Sequence, residues 1–279
     1  MIGLEKRGSF MAKTIGVISI KGGVGKTTTV SNLGSVLAND FGKRVLLVDA
    51  NFSAPNLGLH LGIVEPEKSM HHVLAGKADI RSAIHKHDNG FDVLPSSLIP
   101  KKIDPLKLRS KLSALKDDYD VVLLDSSPAL NEEMLATMMA SDELLVVTTP
   151  DYPTLSCTMN ATRIAKKRGT PITGLILNKV RNKNYELGLD QVEAAVELPV
   201  LAVLPDEIKV LEALSKSIPA SAHIPSADFA VEYKKLGAAL MGENFTDARF
   251  KSKIKGVFTR NLSKADVNKT LLRNERIGK

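Results

Sequence analysis

The sequence predicts a doubly wound α/β fold, a mostly parallel sheet with helices on both faces, and three observations carry that prediction. Six segments are continuous apolar runs rather than alternating ones, as expected of strands covered on both sides. Helical patterns separate successive runs, which indicates right-handed βαβ units. Polar residues recur where the runs end, at the edge where such sheets bind ligands.

Taken in order, the first run is Thr14 to Ile20, followed by a glycine-rich loop and a helical pattern from Thr27 to Phe41. The next strands are expected at 44–50, 120–125, 143–149, 172–178 and 200–204, with helices at 104–117, 131–140, 154–168, 186–196, 208–216 and 226–242. Lys21 follows the first strand, Asp49 closes the second and Asp125 a later one, while Asn178 and the pair Pro205-Asp206 follow two more. Five strand ends thus bring chemistry-bearing residues to one edge. With 279 residues, 43% of them hydrophobic, the chain suits one large domain at 12–247, preceded by an extension at 1–11 and followed by a tail at 248–279. Met11 is an alternative start to Met1.

Residues 20–29 read Ile-Lys-Gly-Gly-Val-Gly-Lys-Thr-Thr-Thr between an apolar strand and a helix, the context of a phosphate-binding loop. Backbone N–H groups of Gly22, Gly23, Val24, Gly25 and Lys26, with Thr27 and Thr28 opening the helix, would cradle the phosphates. Lys26 would reach the β- and γ-phosphates, and the Thr27 hydroxyl would ligate Mg²⁺. A bare strand-to-helix turn has no need of a Lys-Thr pair after its last glycine.

One position departs from the ordinary P-loop: Ile20 stands where glycine is usual, and Lys21 follows it. The spelling Lys-Gly-Gly-Val-Gly-Lys-Thr-Thr resembles the deviant Walker A motif of the MinD/ParA family of P-loop ATPases, and within it the site-determining, MinD-like branch. The resemblance covers about residues 12–245. It implies that Lys21 is a signature lysine that reaches across an ATP-dependent homodimer to the partner's phosphates, adding a cation where transition-state charge develops. Asp125 ends Val-Val-Leu-Leu-Asp, a Walker B pattern, and Ser126-Ser127-Pro128 continues it as the family's second switch does. Asp125 would hold Mg²⁺ through a water, or alternatively cap the next helix.

Asp49 opens Asp-Ala-Asn-Phe-Ser-Ala-Pro-Asn, which resembles the family's first switch, and the resemblance gives Asp49 a catalytic and metal-side role. Asn51 stands where the family has a second aspartate. An amide positions a water but takes no proton at neutral pH, so slow hydrolysis is expected; a plain Asx turn is the alternative for Asn51. Arg181 occupies the place of the carboxylate that reads guanine in Asn-Lys-x-Asp, so Asn178 is expected to bond adenine and ATP to be the ligand. Pro205 and Asp206 resemble the family's adenine loop, although Pro-Asp also begins ordinary helices.

Net charge is +7, and ten lysines and arginines against Asp266 and Glu275 concentrate it in residues 249–279, leaving the rest near neutral. Phe250, Ile254, Val257, Phe258 and Leu262 form an apolar stripe among these cations, interrupted by Gly256. This resembles the family's membrane-targeting helix and implies reversible binding to an anionic membrane at the inner face of the cell membrane. A ParA-like tail bound to DNA and a merely solubilising tail are the alternatives, and an activating or cargo protein is implied but unidentified. There is no secretory leader and no apolar run of about eighteen residues, so a cytoplasmic protein is expected. The one cysteine, Cys157, excludes an internal disulfide and the paired-cysteine relatives that carry iron–sulfur clusters, and reads as a buried hydrophobe. His60, His71, His72, His85, His87 and His223 lack metal spacing; His71-His72 and His85-Lys86-His87 are expected at the surface.

Overall fold

The computed structural model describes residues 12–99 and 102–247. Its first half contains β1 (Lys13–Ile18), α1 (Lys26–Asn39), β2 (Val45–Ala50), α2 (Leu57–His60), α3 (Met70–Leu74), β3 (His85–Lys86), β4 (Asp92–Leu94), α4 (Leu108–Leu112) and β5 (Val121–Ser126). There follow α5 (Glu132–Ala140), β6 (Glu143–Thr148), α6 (Tyr152–Arg168), β7 (Ile172–Val180), α7 (Leu189–Val196), β8 (Val200–Pro205), α8 (Ile208–Ser215), α9 (Ala220–His223) and α10 (Asp228–Met241). The strands form one sheet in the order β3-β4-β2-β5-β1-β6-β7-β8. Among the described strands only the β3–β4 pairing is antiparallel.

Every residue of β2 and of β5 is buried, which explains their unbroken apolar spelling. Alternate side chains nonetheless serve opposite faces. Leu47 and Leu123 pack with Leu33, Leu37, Phe229 and Leu236 beneath α1 and α10. Leu46, Val48, Val122 and Leu124 pack with Met70, Leu108 and Ala136 on the other side. Replacing one such leucine by alanine would cost roughly 2–5 kcal/mol. Helix α1 lies so close to the sheet that a Cβ on Gly34 would meet Leu47 Cδ2 at 2.5 Å. The P-loop helix is therefore fixed rigidly over β2.

The six expected strands and the fold class are observed, and several details differ. The strand expected at 14–20 ends at Ile18, because the chain must leave the ladder for the loop to turn. Residues 104–117 are not one helix but a short helix flanked by 3-10 turns at Pro105–Lys107 and Ser113–Leu115. The Ser110 and Ser113 hydroxyls donate to the carbonyls of Lys107 and Ser110, three residues back, which favours the tighter winding. The helix expected from 186 begins only at Leu189, after Gly188. The two short edge strands β3 and β4 lacked a sequence signal of sufficient length.

His71 corrects the surface expectation: it is 1% exposed, its Nδ1 accepts from the Ser97 N–H at 3.0 Å, and its ring stands edge-on to Phe52. Cys157 is half-buried on α6 rather than buried. The extension 1–11, the tail and its stripe from Phe250 to Leu262 lie outside the described residues. Among the described residues no helix is long and apolar enough to cross a membrane.

Candidate functional site

The carboxyl ends of the parallel strands open into a cleft of about 740 Å³, lined by Gly22, Gly23, Gly25, Lys26, Thr27, Thr28, Asn51, Ser126, Asn178, Pro205 and Asp206 among others. β1 lies between β5 and β6, where the strand order reverses, and its loop sits at the floor of the cleft. Gly25 makes the turn into α1 with φ of 99°, a conformation that disfavours any residue with a Cβ. A Cβ there would also lie 2.2 Å from Asn178 Nδ2. No side chain caps α1, so its N-terminal N–H groups stay directed at the cleft.

Lys26 is 7% exposed. Burial lowers its pKa, and the charge of Asp125 opposes that shift. Thr27 Oγ1 donates to Asp125 Oδ2 at 2.6 Å, which joins the P-loop to the end of β5. Asp125 Oδ1 is buried without a partner. Burial raises this carboxyl to about 6, against the pull of Thr27 and Lys26. A divalent cation fits such an arrangement: a hydroxyl and an orphaned carboxylate oxygen of one site supply oxygen donors, and a cation would remove the cost of burying the charge. The helix-cap alternative for Asp125 falls away, because Asn131 Oδ1 accepts from Met134 N and caps α5.

Asp49 is fully buried and turned into the first switch loop, where Oδ1 accepts from Asn51 N at 3.1 Å and Oδ2 from Asn56 N and Leu57 N at 3.0 Å each. Burial and the charge of Asp125 push its pKa well up, against these three donors. The geometry gives Asp49 a loop-holding role. Asn51 donates through Nδ2 to the Ala54 carbonyl three residues on, which is not the Asx turn weighed for it, since that turn needs the side-chain oxygen to accept. Its Oδ1 is buried and unpartnered, an acceptor beside the P-loop wall.

On the other side, Asn178 Nδ2 donates to the Val24 carbonyl at 2.7 Å. One amide proton thus buttresses the loop, while the second amide proton and Oδ1, the groups that the expected contact with adenine needs, lie outside that bond. Asp206 takes the Nε–H of Arg181 at 2.6 Å, so the residue standing in the guanine-reading place instead ties the ends of β7 and β8 together. Asp206 caps no helix; α8 starts after Glu207 without a side-chain cap.

Lys21 lies outside the floor of this cleft, in a smaller one with Thr149, Asp151, Lys179 and Tyr185. Its Nζ donates to Thr154 Oγ1 at 2.6 Å and to Asp151 Oδ1 at 3.3 Å. Burial would raise Asp151, but hydrogen bonds from Thr149, Thr154 and Lys21 outweigh it and hold the carboxyl at about 2. Sequence reasoning missed Asp151 and Thr154, whose only local signal was the cap position of α6. It also missed Glu133, which accepts from Ser53 in the first switch and is bonded to Ser127 in the second.

A sheet of this topology with this loop defines a P-loop nucleoside triphosphatase. A family model described as an AAA domain matches residues 12–168. An uncharacterised ATP-binding protein of Methanocaldococcus jannaschii is 34% identical over 263 residues, 90% of this chain and 99% of that protein. The crystal structure of the cell division ATPase MinD of Pyrococcus furiosus superposes with a TM-score of 0.79 at 33% identity, covering 83% of this chain and 99% of that one. The septum site-determining protein MinD of Pyrococcus horikoshii, solved with Mg-ADP, gives 0.78 at 30% identity over 89% of this chain and all of that one. The chain belongs to the MinD/ParA family of P-loop ATPases, and its relatives place it on the MinD-like side.

Proposed function

We propose that this chain is a MinD-like ATPase switch that binds ATP and Mg²⁺, pairs with a second copy in the ATP state and binds an anionic membrane reversibly to position cellular machinery. The observation that carries this reading is Lys21: a second loop lysine whose ammonium group leaves its own phosphate cradle and sits at the rim with Asp151 and Thr154. The domain at 12–247 performs the nucleotide chemistry. Lys26 and the N–H groups from Gly22 to Thr28 bind the phosphates, and Thr27 and Asp125 hold the metal. Bound there, Mg²⁺ neutralises charge on the β- and γ-phosphates.

Asp49 fixes the first switch loop so that Asn51 Oδ1 stands free to accept a proton bond from the attacking water. Asn51 orients this water without deprotonating it, so turnover is slow. Glu133 couples this loop to the second switch, and both respond together to what the cleft holds. Lys21, exchanging Asp151 for the partner's phosphates, supplies a cation in trans.

One tail binds weakly, at about 1 kcal/mol per basic residue near an anionic leaflet. Two paired tails gain roughly 10²–10⁴ in avidity, which links nucleotide state to location. The protein thus cycles between cytoplasm and inner membrane face, and an activating or cargo protein completes the cycle. The test is sedimentation with ATP, ADP and no nucleotide, each with and without acidic liposomes. ATP-specific pelleting that is lost on truncation after Asp247 is expected; pelleting indifferent to both would refute the reading. A ParA-like DNA-binding tail is the second reading, favoured by the tail's charge alone. Substituting Phe250 and Phe258 by serine should abolish lipid binding and spare any DNA binding.

A further inference from the structure

The last rung between β7 and β8 pairs Val180 with Pro205, and the Asp206 N–H donates to the Val180 carbonyl at 3.0 Å. Arg181 and Asp206, the residues that follow this rung, are thereby set side by side on the wall of the cleft that Asn178 also lines. Asn182 adopts the left-handed conformation at φ of 57°, and the Glu186 carboxylate accepts from the N–H of Arg181 at 2.9 Å and of Lys183 at 3.1 Å. The loop thus fastens the backbone on which Arg181 sits. Its side chain then turns to the neighbouring strand end, where Nε–H donates to Asp206 Oδ2 at 2.6 Å. The two side chains are 57% and 33% exposed, so the pair adds little to stability and a substitution there leaves the fold intact.

A carboxylate selects guanine by accepting, with its two oxygens, from N1–H and from the 2-amino group. Adenine presents a lone pair at N1, which a carboxylate repels. In the pattern Asn-Lys-x-Asp that carboxylate comes three residues after the asparagine. Here Arg181 holds that place, and the carboxylate in contact with it belongs to Asp206. With Oδ2 already accepting from Arg181, Asp206 cannot offer both oxygens to guanine, and the guanidinium offsets its charge. The guanidinium also carries further N–H donors, which suit the N1 lone pair of adenine.

We infer that Arg181 is a positioning residue that keeps Asp206 from reading guanine, and that this ion pair sets the choice of adenine over guanine nucleotides. Asp206 is a latent guanine reader, silenced by the strand end beside it. The inference rests on the nucleotide-binding reading above and extends it from the phosphates to the base.

The test is calorimetric titration of Mg·ADP, Mg·GDP and Mg·IDP into the full chain. Wild type should bind ADP more tightly than GDP. Arg181→Met keeps the length of the side chain and removes its donors. It should lower the ratio of the GDP to the ADP dissociation constant by roughly tenfold or more, because a charged acceptor is released for guanine. IDP, which lacks the 2-amino group, should gain less than GDP. Adding Asp206→Asn to Arg181→Met should cancel most of the shift, and Arg181→Lys, which keeps a cation on Asp206, should retain the wild-type ratio. A purely structural ion pair would weaken all three diphosphates together and leave the ratio unmoved, which would overturn the inference. So would a shift toward GDP that survives Asp206→Asn, since it would belong to Glu207, which also lines the cleft. Wild type that binds ADP, with an unmoved ratio in Arg181→Met, would sink this inference alone; wild type that binds none of the three would sink the nucleotide-binding reading with it.

Discussion

Replacing Asp125 by asparagine should stabilise the empty protein and remove the stabilisation that nucleotide brings. Asp125 is 1% exposed, its Oδ1 has no partner, and burial lifts its pKa from 3.8 to about 6. Two pKa units correspond to about 3 kcal/mol of strain in the ionised form. Asparagine keeps an oxygen for the Thr27 hydroxyl and carries no charge, and it also relieves Asp49, which the charge of Asp125 pushes up. Against this, Lys26 loses the anion that supports it. A net gain of about 1–2 kcal/mol is expected, a rise of roughly 3–6 °C in Tm for a domain of this size. The sign with pH follows from the raised folded pKa: wild-type stability from this group is full below about 4 and is lost as pH rises through about 6. The advantage of Asp125→Asn should therefore be absent near pH 4 and fully developed above pH 7. Differential scanning fluorimetry across that range checks it. With Mg·ATP at a hundred times its dissociation constant, wild type should gain about 3 kcal/mol and the variant far less. A variant that melts at or below wild type at pH 7.5 while remaining folded would refute the reasoning.

Three further outcomes are expected. Asn51→Asp should speed steady-state hydrolysis about tenfold or more while lowering the Tm of the empty protein, because a carboxylate cannot donate to the Ala54 carbonyl; phosphate release and thermal melts read the two effects. Lys21→Ala should change the Tm by no more than about 1 °C, since its ion pair is 40% and 42% exposed at the two ends, yet abolish ATP-dependent pairing in light scattering. Gly25→Ala should weaken nucleotide binding at least tenfold, as titration of a fluorescent analogue would show: the backbone is left-handed there and the new methyl would push Asn178 off the Val24 carbonyl.

The local spelling of this chain determined the P-loop, the order of the six long strands and the residues at their ends, because each depends on neighbours within a few positions. Gly25, Lys26 and Thr27 act through backbone geometry that the motif itself imposes, and the apolar runs follow from a sheet covered on both faces. The pairings that decide what those residues do join distant segments. Lys21 meets Asp151 and Thr154 across 130 and 133 positions, Asn178 meets Val24 across 154, and Arg181 reaches Asp206 just past the end of the next strand. No periodicity encodes such contacts; they arise when parallel strands bring their ends to one edge. The burial of His71 and the exposure of Ile208 and Leu211 on α8 belong to the same class, since the faces they occupy are set by which layer packs over them. Sequence alone therefore named the chemistry at the sheet edge, and only the packed structure settled which partner each group holds.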